Sequence, residues 1–135
     1  MFTFLGVFAD PVSHLARRIS ETWPDLKPIR IERPISAVAA RFGQVHYEPE
    51  REDIPEGVLK LTETLSAGNP SARFLLLRTE CFGGTCANWG LVFQDGKVIF
   101  QAEGKEALRR LIGYWGAELG PEEFFEPLRR DFAWG

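Results

Sequence analysis

Asp95-Gly96 is the pair of residues that most constrains this chain. A type I′ turn needs positive φ at both central positions, and this dipeptide accepts them at low steric cost. Alternating apolar residues flank it on both sides, as a β-hairpin requires. A two-residue turn here pairs Gln94 with Lys97, Phe93 with Val98 and Leu91 with Phe100. Trp89, Leu91, Phe93, Val98 and Phe100 then share one face, and that face is expected to be core.

The elements before this hairpin read in sequence as strand, helix, strand, strand, helix, strand. Residues 2–8 are apolar apart from Thr3 and Gly6, the pattern of a strand buried on both faces. Asp10 and Pro11 are placed to cap and start a helix, with Val12, Leu15, Ala16, Ile19 and Trp23 at helical spacing before Pro24 stops it. Residues 29–32 alternate between Pro28 and Pro34, which suits an edge strand. A largely apolar strand over residues 37–42 follows and runs on toward His46. Asp53 and Glu56 have capping-box-like spacing around Pro55, ahead of an inward stripe of Val58, Leu61, Thr62 and Leu65. Gly68 and Pro70 close that helix, and residues 72–79 read as another doubly covered strand.

This order is that of a ferredoxin-like β-α-β-β-α-β core, in which the first and third strands are central and the second is an edge. The fourth strand is too apolar to be the opposite edge, so the Asp95-Gly96 hairpin is expected to extend the sheet beside it. Two C-terminal helices are expected over the second face. Leu108, Leu111, Ile112, Trp115 and Leu119 line one, and Phe124, Phe125, Leu128 and Phe132 line the other. Phe132 and Trp134 read either as the buried end of that last helix or, beside Arg129 and Arg130, as part of an interface. The expected fold class is α+β, in a single domain spanning residues 1–135.

Composition narrows the function classes. The 135 residues include 11 Phe, 4 Trp and 2 Tyr, enough large rings for a core that needs neither metal nor disulfides. The formal net charge is −3, and Lys and Arg are scattered among acids rather than gathered into the basic face of a nucleic-acid binder. The densest charge run, residues 48–56, carries five acidic residues around Arg51. It reads either as a solvated loop or as a docking patch for a basic partner, with Glu50, Glu52 and Asp53 at its centre. No apolar run reaches the ~20 residues of a membrane span. The apolar start of the chain lacks the cationic lead and small-residue cleavage site of a signal peptide. A cytoplasmic location, with no membrane partner, is the expectation.

The most unusual stretch is residues 80–90, where Glu80, Cys81, Phe82, Gly83, Gly84, Thr85, Cys86 and Asn88 surround paired glycines between two strands. Gly83 and Gly84 permit a tight or bulged connection whose amides can face an anion. A phosphate-cradling loop would instead open a helix and carry a lysine, and both are missing. The cysteines admit four readings. They are buried small apolar side chains, zinc ligands lacking two further donors, a disulfide closing a very short loop, or a nucleophile served by His46 or His14. The first is the favoured one, because a reducing cytosol opposes the bond. Glu80 and Asn88 could line a site or simply satisfy turn backbone.

The Phe82-Gly83-Gly84 turn followed by Asp95-Gly96 resembles a pattern in small bacterial proteins of unknown function, some of them similar in size to toxin-neutralising immunity proteins. The likeness covers about twenty residues, specifies no catalytic residue and does not account for Cys81 or Cys86. The acidic loop, the aromatic surface candidates and the missing catalytic constellation point to a protein-binding role. The resulting expectation is a non-enzymatic domain of the immunity or adaptor kind, monomeric or homodimeric, that binds a protein with a basic surface. No catalytic residue, metal or cofactor is expected. The alternative is a small-ligand site or small enzyme at the glycine turn, built from His46, Glu80, Cys81, Gly83, Gly84, Cys86 and Asn88.

Overall fold

The computed structural model describes residues 2–12, 14–33, 35–43, 54–104, 106–117, 126–128 and 132–134. The elements are β1 (Phe2–Ala9), α1 (Leu15–Thr22), β2 (Ile29–Ile31), β3 (Ala37–Arg41), α2 (Glu56–Ala67), β4 (Arg73–Phe82), β5 (Thr85–Gln94), β6 (Lys97–Gly104) and α3 (Ala107–Gly113). A 3-10 turn lies at Glu126–Leu128. The strands form one antiparallel sheet in the order β2-β3-β1-β4-β5-β6. The molecule is thus α+β, and β1 and β4, the most apolar strands, lie inside it. The short β2, bounded by proline, is an edge.

Alternation along the strands divides the core between the two faces of the sheet. On the first face α1 and α2 bury Leu15, Ile19, Val58 and Leu65 against Leu5, Val7, Phe74, Leu76 and Phe93. Trp23 meets Phe42 edge-on there, with ring centroids 4.9 Å apart. On the second face α3 and the chain end pack Leu111, Ile112 and Leu128 against Phe4, Phe8, Leu75, Leu77 and Val92. Gly90 allows that packing. A Cβ on it would run into the Leu111 side chain, so the helix can lie this close only over a residue without one.

Asp10 does not cap α1. That helix starts at Leu15 behind His14, which adopts a left-handed backbone and gives no side-chain cap. Asp10 instead grips Arg73 at the start of β4. Its Oδ2 accepts from the Arg73 backbone N–H at 2.8 Å and from Nε at 2.9 Å, and its Oδ1 accepts from Nη2 at 3.0 Å. Trp115 Nε1, just past α3, also donates to Oδ1 at 3.0 Å. Arg73 Nη1 donates to the Tyr114 carbonyl, and the guanidinium lies over the Trp115 ring at 4.8 Å. Carboxylate, guanidinium and indole therefore tie β1, β4 and the end of α3 together.

Other differences from the sequence reading have local causes. Both central φ angles of the Asp95-Gly96 turn are positive, and Gln94 and Phe93 pair as expected. Beyond them a bulge leaves Ile99 without an opposite residue, so Phe100 faces Val92 rather than Leu91. One extra residue flips everything after it. Phe100 therefore sits on the second face, stacked on Tyr114 at 5.2 Å, while Val98 remains half exposed on the first. Helix α2 starts at Glu56 with Pro55 in the N-cap position, and Asp53 lies outside the described residues. Leu61 points outward, and Ala16 of α1 is likewise exposed. Where the chain end is described it is not the expected helix. Residues 126–128 make the 3-10 turn, and Trp134 packs without helical backbone on Phe4 and Phe8, 5.4 and 6.1 Å away. Residues 118–125, and the continuation of β3 toward His46, lie outside the described residues.

Burial of Asp10 alone would raise its carboxyl pKa, but the hydrogen bonds and charge of Arg73, with the Trp115 N–H, outweigh it and hold the pKa below its ordinary value. The unfolded chain then binds a proton more readily than the folded one. The contribution is complete above the unfolded carboxylate pKa of about 4 and is lost as pH falls through the lower folded value. Asp10→Asn should cost about 2 kcal/mol at neutral pH and flatten the dependence of the urea midpoint on pH below about 4. An equally steep acid dependence in the variant would take Asp10 out of this role. Gly90→Ala should lower stability by about 1–3 kcal/mol through overpacking against Leu111, read as a fall in Tm. An unchanged Tm would mean that α3 does not need the bare backbone.

Candidate functional site

Among the described residues expected to form a site, Cys81, Gly83, Gly84 and Cys86 come together at one hairpin tip, and Asn88 is turned into the core. Cys81, near the end of β4, and Cys86, at the start of β5, face each other with Cα atoms 4.0 Å apart and are joined by a disulfide. The reading of the cysteines as buried apolar side chains is therefore corrected, since Cys86 is exposed and Cys81 only half buried. The connection between them is a two-residue turn in which Gly83 and Gly84 have φ of +60° and +83°. Paired glycines let the strands run all the way to Phe82 and Thr85, so the expected loop is the tip of a long hairpin. Phe82, at the tip, is 76% exposed.

Glu80 precedes Cys81 on the same strand and so projects from the opposite face of the sheet. Asn88 is turned inward, where its Oδ1 accepts from Thr79 Oγ1 at 2.7 Å in a buried pair. His14 is exposed at the start of α1, far along the sequence from the cysteines. His46, Glu50, Glu52 and Asp53 lie outside the described residues. Among the described residues, no three His, Cys, Asp or Glu side chains gather as metal ligands would. No helix among them is long and apolar enough to cross a membrane.

Among the described residues a concave surface lies away from the cysteines, between α2 and the outer strands. A hollow of about 640 Å³ is lined by Ile54, Leu59, Trp89, Leu91, Gln101, Glu103 and Arg110, among others. A second, of about 610 Å³, adjoins it through Leu59, Leu91 and Gln101 and continues past Glu63, Phe93, Val98 and Ile99. Together they make a groove along β5 and β6. Apolar side chains and Gln101 line it, Glu63 and Glu103 stand beside them, and Arg110 borders it from α3 on the second face. Neither cysteine nor Glu80 lines it. A smaller hollow beside α1 is bounded by His14, Arg17, Arg18 and Glu21.

The groove exists because the sheet is wider than the helices above it. Helix α2 crosses β4, β5 and β6 and is held to the hairpin turn, where the Gly96 N–H donates to Ser66 Oγ at 3.1 Å. Beyond that crossing Val98 and Ile99 stay 48% and 40% exposed, and Leu61 on the helix is 39% exposed. Among the described residues β6 is the last strand, so its outer row of backbone groups is an open edge of eight residues. The two edges contrast sharply, since β2 is three residues long, carries Arg30 and follows Pro28.

Sequence reasoning passed over the groove because it assigned Trp89, Leu91, Phe93 and Val98 to a closed core. Alternation does identify the face on which they lie, but not how far a helix covers it. A scan of protein-family models, curated proteins and solved structures finds no match to this chain.

Proposed function

We propose that this chain is a non-enzymatic protein-binding domain of the immunity or adaptor kind. In this reading its first six elements are a ferredoxin-like unit to which the β5–β6 hairpin adds an open edge. The order β2-β3-β1-β4, with β1 and β3 inside, supports the architectural part. The observation that carries the functional part is the β6 edge, bordered by the uncovered side chains of Val98, Ile99 and Leu61 and by the groove. A partner segment added to β6 would satisfy its backbone groups and set alternate side chains into the groove. Fully burying a Val, Leu or Ile contributes about 1.5–3 kcal/mol, and covering what these three still expose (39–48%) would contribute roughly half of that each.

The acidic segment 48–56 includes Ile54, which lines the groove. Glu50, Glu52 and Asp53 would steer a partner with a basic surface, raising its association rate at low salt. A cytoplasmic location belongs to the same proposal. A second reading, a small-ligand site, draws on the 640 Å³ hollow, whose size and apolar lining with a few charged groups suit a small molecule. It begins at Trp89, at the far end of the stretch that opens with Cys81.

A photocrosslinking residue placed at position 99, with a control at position 17 on the exposed face of α1, separates these readings. The proposal expects a discrete protein adduct at position 99 only. Affinity of the captured partner should fall about tenfold or more when Val98 is changed to lysine, and its association rate when Glu50, Glu52 and Asp53 are changed to lysine. A crosslinked pair of identical chains would assign the edge to a second copy. Adducts at position 17 alone, or none at either position, would overturn the proposal.

A further inference from the structure

The hairpin does not depend on the disulfide at its tip, and Cys86 is exposed there. The bond closes a loop of only four intervening residues, which on the chain-entropy relation is worth about 2 kcal/mol. The hairpin has its own determinants. These are the two positive-φ glycines, an unbroken β4–β5 register from Arg73–Gln94 to Phe82–Thr85, and the buried Thr79–Asn88 hydrogen bond. Opening the bond therefore leaves two thiols still opposed across the ladder, ready to close again.

The two sulfurs differ in access. Cys81 lies opposite Phe2 of β1 as well as opposite Cys86, so strands flank it on both sides. On β5 the pairing with β6 ends at Asn88, opposite Gly104, so Cys86 lies beyond the last described residue of β6 and is exposed. Phe82, 76% exposed at the same tip, projects like Glu80 from the face opposite the disulfide.

We infer that Cys81–Cys86 is a thiol–disulfide exchange site whose reaction partner is a protein dithiol. The partner's thiolate attacks Cys86 Sγ, and the new bond forms as the Cys86–Cys81 bond breaks. The electron pair leaves on Cys81 Sγ, which takes a proton. The partner's second thiol, as thiolate, attacks its own sulfur in the mixed disulfide and releases Cys86 as thiolate, which is protonated in turn. The chain gains two electrons and two protons, and the partner dithiol becomes a disulfide. Run in reverse, the same steps oxidise the chain. This site is separate from the groove and does not depend on a partner bound there.

The test uses the purified full chain in native buffer with thioredoxin, thioredoxin reductase and NADPH as the probe. The expected result is one NADPH consumed per chain and two thiols newly open to alkylation. Reduction should be at least about tenfold faster than with glutathione at equal thiol concentration, and the far-ultraviolet circular dichroism should be unchanged. A thioredoxin lacking its second cysteine should be trapped as a mixed disulfide, located on Cys86 by peptide mass spectrometry. Reduction that occurs only in urea, or a chain that unfolds when reduced, would make the bond purely structural and overturn the inference. Trapping on Cys81 would overturn the assigned direction of attack.

Discussion

Arg73 is where the fold is fastened. Its guanidinium is planar and holds its donors in a fixed fork, so it can meet both oxygens of Asp10 while still reaching a backbone carbonyl and lying against a ring. It does all of this, joining the end of β1, the start of β4 and the turn after α3. The groups are partly buried, which strengthens the attraction and makes loss of one partner costly to the other. With β1 and β4 registered side by side over eight residue pairs, the two-sided core has its central strands. Everything outward of β4 is then built by hairpins, each closed by a two-residue turn with positive φ at both positions.

That construction places the working surfaces. Helices α1 and α2 and the packing around Leu111 secure the inner strands, but the sheet runs on to β6, past the cover that α2 provides. The β4–β5 hairpin also reaches past the paired part of β6, which carries the disulfide and Phe82 to a free tip. An apolar groove with an open strand edge and an exposed sulfur pair are thus two consequences of one geometry. They lie on different parts of the outer hairpins, and neither requires the other.

Much of this was legible in the sequence, and the failures are instructive. Prolines around Ile29 and Ile31 marked an edge, and the apolar runs of β1 and β4 marked interior strands, because burial on both faces leaves no polar alternation. Asp95-Gly96 fixed its turn and the first two pairs. It could not reveal the bulge at Ile99, since nothing in an apolar run of Val, Ile and Phe says which residue is left over. Asp10 before Pro11 looked like a helix cap because capping is local, whereas Arg73 lies 63 residues away. The cysteines could have been paired from sequence. They stand symmetrically about Gly83-Gly84, and a two-residue turn there places them opposite each other. A reducing compartment would oppose the bond and so points the other way.

The account rests on β6 being uncovered in the isolated chain, and amide hydrogen exchange on the purified monomer examines this most directly. The account predicts that β1 and β4 exchange slowly while alternate amides of β6, those facing away from β5, exchange near the rate of exposed backbone. Protection of all β6 amides to the level of β4, at a concentration where scattering gives a monomer, would contradict it. The edge would then already be filled by the chain itself.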